Sequence, residues 1–254
     1  MREIRILALG GSNVVGYGLE DPATSWAMLV GGAIETAHGH PVSVTSALFF
    51  LEPTDSAPFI ARLIAEHHPD VVLLNCAPAG FAIKTVANSV GRLAGKRVRR
   101  ALVVGEMRLQ GAIGSLGDRN VPVRRFLKRG VRKATGARTR MSVGDAIMSG
   151  KRAIKTFAAA EDVGTVVRCP LEAASWVKEE QGPEHVESYL FYREEMGKAA
   201  RAARMTYVEN TFDHTPEEER RVFMPDGVHL SAEGHKAVAP LWLPAALAEC
   251  ERRH

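Results

Sequence analysis

The chain has 254 residues, 46% of them apolar and 24% charged, enough to bury a full core in one large domain or two small ones. That excludes a disulfide-stapled miniprotein and a wholly disordered chain, and ordinary glycine and proline usage without a triplet repeat excludes a collagen-like fibre. The net charge of +4 hides an asymmetry, because residues 92–155 hold 18 Lys/Arg against three acids while the rest of the chain carries −11, a polarity that bears on partners and substrates rather than on fold.

Residues 4–9 form an apolar run that reads as a strand and passes directly into the glycine-rich GGSNVVGYG. This start leaves no room for a secretion signal, and no run reaches the eighteen apolar residues of a membrane span, so a cytoplasmic protein is expected. Residues 26–36 read as a helix, 41–50 as a second strand and 58–66 as a second helix. Residues 70–74 (DVVLL) are apolar on both faces, as parallel strands covered by helices are. The strand, loop, helix alternation predicts a doubly wound parallel sheet. Farther on, 98–104 and 165–167 both look like strands, of which one need be the fourth. Residues 186–204 read as a long helix and 207–209 as the last strand. A final helix starts after Ser231, with Pro240 and Pro244 expected to bend or divide it. Cys76, Cys169 and Cys250 are far apart and odd in number, which reads as reduced, buried thiols.

Two short segments carry chemistry. Ser12 follows an apolar strand, with Gly10 and Gly11 before it and Gly16 and Gly18 after it. The backbone can therefore turn sharply and leave the hydroxyl at the carboxyl edge of the sheet, where open α/β sheets bind ligands. A serine that caps the turn or the next helix fits the same residues. Neither GxGxxG nor GxxxxGK[ST] is present, so no nucleotide cofactor is expected. Near the other end, Asp226 stands three residues before His229 in MPDGVHLSAEGH. The carboxylate can turn back to hold one imidazole nitrogen while the other faces the sheet edge, the arrangement that turns a serine hydroxyl into a nucleophile. Loop hydration or helix capping would also account for an isolated DxxH.

Taken together, the two segments resemble the blocks of the SGNH/GDSL hydrolases. GGSNVVGYG looks like their GDSxxxGxG block with Gly11 in place of its aspartate, DGVHLSAEGH looks like their last block, and MTYVEN at 205–210 is similar to the segment before it. The resemblance covers about a quarter of the chain. It implies a single α/β/α three-layer domain over residues 1–254, with a flavodoxin-like parallel sheet of about five strands. It also implies hydrolysis of a carboxylic ester or thioester through an acyl-serine, or acyl transfer by the same groups. By position Ser12 is the nucleophile, His229 the base and Asp226 its orienting acid, and neither metal nor cofactor is required. His38, His40, His67 and His68 share no acidic cluster that would make them a metal site.

The oxyanion-hole blocks diverge. The family places a glycine after the second strand and an asparagine in a GxND block after the third. This chain has LEPTDS at 51–56, where Pro53 lacks an N–H, and NCAPAG at 75–80, where Asn75 stands at the position of the block's glycine and Pro78 at that of its aspartate. The backbone N–H of Ser12 and the side chain of Asn75 are the candidate donors.

The segment at about 105–160 reads as a basic insertion or cap, and residues 119–140 within it hold nine basic residues and no acid. Arg124, Arg125 and Lys128 are the candidate substrate-binding residues, drawing in a small or carrier-linked anionic ester. A nucleic-acid or anionic-surface binder would use the same charge, but no zinc, RRM or KH pattern accompanies it. A solvated basic helix is the plainest account of the strip taken alone. Trp176, Tyr189, Phe191 and Tyr192 can line an acyl channel, although core packing suits each of them at least as well.

Overall fold

Each short β-branched or leucine-rich run forms a strand, and each longer run with apolar residues every three or four positions forms a helix laid over the sheet. The structure is a computed structural model that describes residues 2–52, 55–77, 141–210 and 215–253. The strands are β1 (Ile4–Gly10), β2 (Val42–Leu48), β3 (Val71–Asn75), β4 (Gly164–Arg168) and β5 (Thr206–Val208). All pairings are parallel, in the order β2-β1-β3-β4-β5. The fourth strand is thus the 165–167 candidate, while the 98–104 candidate lies outside the described residues.

The helices are α1 (Trp26–His38), α2 (Ala57–His67), α3 (Val143–Ala158), α4 (Ser175–Gln181), α5 (Pro183–Ala202), α6 (Pro216–Val222) and α7 (Ala232–Arg253). Because neighbouring strand residues point to opposite faces, each strand feeds two cores. Leu7, Leu9, Val72, Leu74 and Val167 meet Ile60, Ile154, Phe157 and Met196 from α2, α3 and α5. Ile4, Ile6, Ala8, Leu73 and Val166 meet Trp26, Ile34, Val238 and Trp242 from α1 and α7. The result is the three-layer α/β/α architecture that the resemblance implies, around the parallel sheet expected from the strand and helix alternation.

Some elements depart from the sequence reading. Residues 143–158, assigned above to the basic segment, form a core helix. Ala146, Ile147, Gly150, Ala153, Ile154 and Phe157 line its buried face at helical spacing, with the charged residues turned outward. Its approach to α5 is so close that a Cβ on Gly150 would lie 2.2 Å from the Met196 sulfur. Helix α7 runs undivided through Pro240 and Pro244, because packing along α1 and the sheet holds the turns that lose a hydrogen bond. Short helices α4 and α6 were not foreseen, although Thr215 and Glu218 form a capping box ahead of the latter.

The chain leaves β1 toward β2 on one side and returns to β3 on the other. A crevice therefore opens at the carboxyl ends of β1 and β3, where such sheets receive ligands. Ser12 follows β1 there, and Asn75 ends β3.

Candidate active site

The loop from 223 to 230 is built to present one imidazole. Phe223 and Leu230 form an antiparallel bridge across its neck, and inside it the Met224 N–H donates to the His229 carbonyl (2.7 Å) and the Gly227 N–H to the Met224 carbonyl (2.8 Å). Gly227 has φ 71°, and a Cβ there would come within 2.5 Å of both Trp176 and Val177 on α4. Only glycine lets this loop turn so tightly against its neighbour. Asp226 closes the turn, its Oδ1 accepting the N–H groups of Val228 and His229, both at 2.9 Å.

The other Asp226 oxygen, Oδ2, lies 2.6 Å from His229 Nδ1. His229 Nε2 lies 2.8 Å from Ser12 Oγ. Ser12, His229 and Asp226, singled out from opposite ends of the chain, therefore meet in one hydrogen-bonded series within the reach that serine activation requires. Burial pushes the Asp226 carboxyl up, but the hydrogen bond and charge of His229 and the two loop N–H groups outweigh it and hold the carboxyl below its usual range.

Two groups at this centre carried no sequence signal of their own. Asn13 donates from Nδ2 to the Val228 carbonyl (3.3 Å) and accepts at Oδ1 the Leu230 N–H (2.9 Å), bracketing His229 on both sides. Tyr17 lays its ring 4.5 Å from the imidazole at 38°. Both sit in the turn that begins at Gly11, so the segment that presents Ser12 also holds the histidine loop.

A cavity of about 350 Å³ opens beside Ser12 and His229, of the size that takes a small molecule. Gly11, Phe50 and Ala77 line one part of it, and Trp26, Phe223 and Val238 another. Asn75 is 6% exposed, lines the same cavity, and has a buried Oδ1 without a hydrogen-bond partner. Tyr189 and Val186 contribute from α5. Tyr192, by contrast, is wholly buried, with its hydroxyl donating to the Cys76 carbonyl (3.3 Å), and Phe191 is half exposed and outside the lining. Trp176 packs into the core on the α1 and α7 side.

Arg168, at the end of β4, is the unexpected member of the wall. It pairs in register with Asn75, is 1% exposed and lies 5.9 Å from the Trp242 ring. Burial pulls its pKa down to about 10, and neither Nε nor Nη2 has a hydrogen-bond partner. Nearby Glu172 is already held by Arg193 (2.5 Å) and Lys178 (3.3 Å). The one available signal was a charged residue closing an otherwise apolar strand at the ligand-binding edge.

Arg124, Arg125 and Lys128 lie outside the described residues, as do Pro53 and Pro78. His38 and His67 end α1 and α2, and His68 adopts a left-handed conformation just after α2. Among the described residues, no three His, Cys, Asp or Glu side chains group as a metal site, and no helix is long and apolar enough to cross a membrane.

No family model matches the chain, and no curated protein matches it in sequence. Solved structures do. A member of the lipolytic G-D-S-L family from Veillonella parvula DSM 2008 superposes with a TM-score of 0.55 at 11% identity, covering 95% of this chain and 97% of its own. The psychrotrophic esterase EstA from a Pseudoalteromonas species, in a form inhibited by monoethylphosphonate, gives 0.54 at 12% identity, covering 97% and 98%. TesA gives 0.53 at 14%, covering 95% and 97%. The described residues share the fold of these proteins.

Proposed function

We propose that the chain is an SGNH/GDSL-type serine hydrolase that cleaves a small, negatively charged carboxylic ester or thioester through an acyl-serine. The observation that carries this reading is the series Asp226, His229, Ser12, with contacts of 2.6 and 2.8 Å beside a cavity. Ser12 Oγ attacks the carbonyl carbon as His229 Nε2 takes its proton, and Asp226 supports the imidazolium that forms. The carbonyl oxygen gathers negative charge next to the Ser12 N–H and the Asn75 amide, whose Nδ2 would be its second donor. His229 then gives its proton to the departing alcohol or thiol. A water enters, loses a proton to His229 and releases the acid, restoring Ser12; another acceptor in place of water would make the same chemistry an acyl transfer.

The preference for a charged substrate rests on the local +15 of residues 92–155. In this reading residues from about 105 onward form a basic cap, and Arg124, Arg125 and Lys128 attract the substrate electrostatically.

A fluorophosphonate tests the nucleophile. Mass spectrometry of the labelled protein is expected to place the adduct on Ser12, and Ser12→Ala to abolish both labelling and ester cleavage. An adduct chiefly on Ser25, Ser142 or Ser231, or labelling that survives Ser12→Ala, would overturn the assignment.

A further inference from the structure

An arginine is almost never fully buried without a carboxylate to meet it, because desolvating a charge is costly unless a partner returns the lost interaction. Arg168 is 1% exposed, with Nε and Nη2 unpartnered. The acid among the described residues of the cavity wall, Glu172, has one oxygen on Arg193 and the other on Lys178. Among the described residues the charged side chains of the wall are then Arg168 and Lys178 against Glu172, and the least compensated of them is Arg168. A planar fork of unpaired N–H donors matches a carboxylate, which it can bind through two parallel hydrogen bonds.

The position of this charge is informative. Arg168 pairs with Asn75, β3 adjoins β1, and Ser12 follows β1, so Arg168 stands two strand spacings, about 10 Å, across the crevice from the nucleophile's strand. We propose that Arg168 is the carboxylate-binding group of this site, and that the substrate is a small ester carrying its own carboxylate within about 10 Å of the scissile bond. The inference rests on the serine-hydrolase reading for the identity of that bond, and it names a residue inside the crevice rather than the basic segment as the group that recognises the charge. Trp242 beneath the guanidinium holds it in place when the cavity is empty.

Two pairs of chromogenic esters test the idea and locate the carboxylate. In the first, the p-nitrophenyl monoester of succinic acid is compared with p-nitrophenyl butyrate, so the charge lies on the acyl side. In the second, 4-acetoxybenzoate is compared with its methyl ester, so the charge lies on the leaving group. The wild-type protein is expected to prefer the charged member of at least one pair. Arg168→Gln should raise KM for that member about 10- to 100-fold, the usual strength of a hydrogen-bonded charge, while changing the neutral member less than about twofold on the same scale. Arg168→Lys, which keeps the charge without the fork, should fall between. Because the guanidinium has no carboxylate partner among the described residues, Arg168→Gln should melt no lower than the wild type. A lower Tm with parallel losses on all four esters would make Arg168 a packing residue and overturn the proposal, as would an unchanged preference in Arg168→Gln.

Stabilisation of the wild type against heat by succinate separates the two readings. A shift in Tm that disappears in Arg168→Gln, in a protein that cleaves none of the esters and takes no fluorophosphonate, would sustain the carboxylate site and overturn the hydrolase reading. Cleavage of the neutral esters with neither a charge preference nor a succinate shift would do the reverse.

Discussion

A serine hydroxyl is only as useful as the imidazole beside it, and here the imidazole is aimed by the residue next to the serine. Asn13 holds the backbone on either side of His229 with one amide group, so a change in the turn moves Ser12 and His229 together. Asn13→Ala should leave the fold intact and let the 223–230 loop drift. A displacement near 1 Å is enough to lower kcat about 10- to 100-fold with little effect on KM. Steady-state kinetics check this, and Asn13→Asp, which keeps the acceptor for the Leu230 N–H but loses the donor, should recover part of the rate. An equal rise in KM would show that Asn13 shapes the cavity instead. Ser12, Asp226 and His229 were legible in the sequence because each sits in a local pattern whose spacing encodes a turn. Asn13 and Arg168 were not, since what they do depends on partners from distant segments, and an asparagine in a turn or an arginine at a strand end has many ordinary uses.

At the level of elements, α1 and α7 are tied by more than apolar packing. His235, fully buried on the first turns of α7, accepts the Trp26 N–H at 3.0 Å and so satisfies a free donor at the start of α1. Trp26 and Trp242 stack with ring centroids 4.6 Å apart, worth about 1 kcal/mol beyond the area they bury. Burial lowers the His235 pKa to about 4. Above pH about 6.5 the folded and unfolded chains both hold it neutral, and its contribution to stability is intact. As pH falls from about 6.5 toward 4 the unfolded chain takes up a proton that the folded one refuses, and up to about 3 kcal/mol is lost. Urea unfolding at pH 7.5 and 4.5 should show this loss, and it should shrink in His235→Asn, which keeps an acceptor but does not titrate. The same acid sensitivity in both proteins would assign it to the carboxylates. The five strands were readable because their apolar runs are short and bounded by turns. Helix α3 was missed because its charge dominated its spacing, and the unbroken α7 because local proline rules yield to packing along a whole helix face.

For the molecule as a whole, charge and chemistry are distributed differently along the chain. The described residues around the cavity come from 11–77 and 168–238, while the basic residues concentrate in the stretch between. If that charge attracts the substrate, then reversing Arg124, Arg125 and Lys128 to glutamate should raise KM for a carboxylate-bearing ester and much less for its neutral analogue. The effect should fade with added salt, since exposed charges are screened over about 8 Å at physiological ionic strength. Equal losses on both substrates, independent of salt, would point to damage to the fold. The order of assembly has a consequence of its own. Ser12 and His229 are separated by 217 positions, and the loop that carries the histidine is held between α6 and α7. In the proposed mechanism a nascent chain therefore carries its serine long before His229 exists to activate it, and it gains activity only once the histidine loop is in place. Loss of the segment from the histidine loop onward would, on the same reading, return a finished molecule to that inactive state while leaving the serine itself untouched.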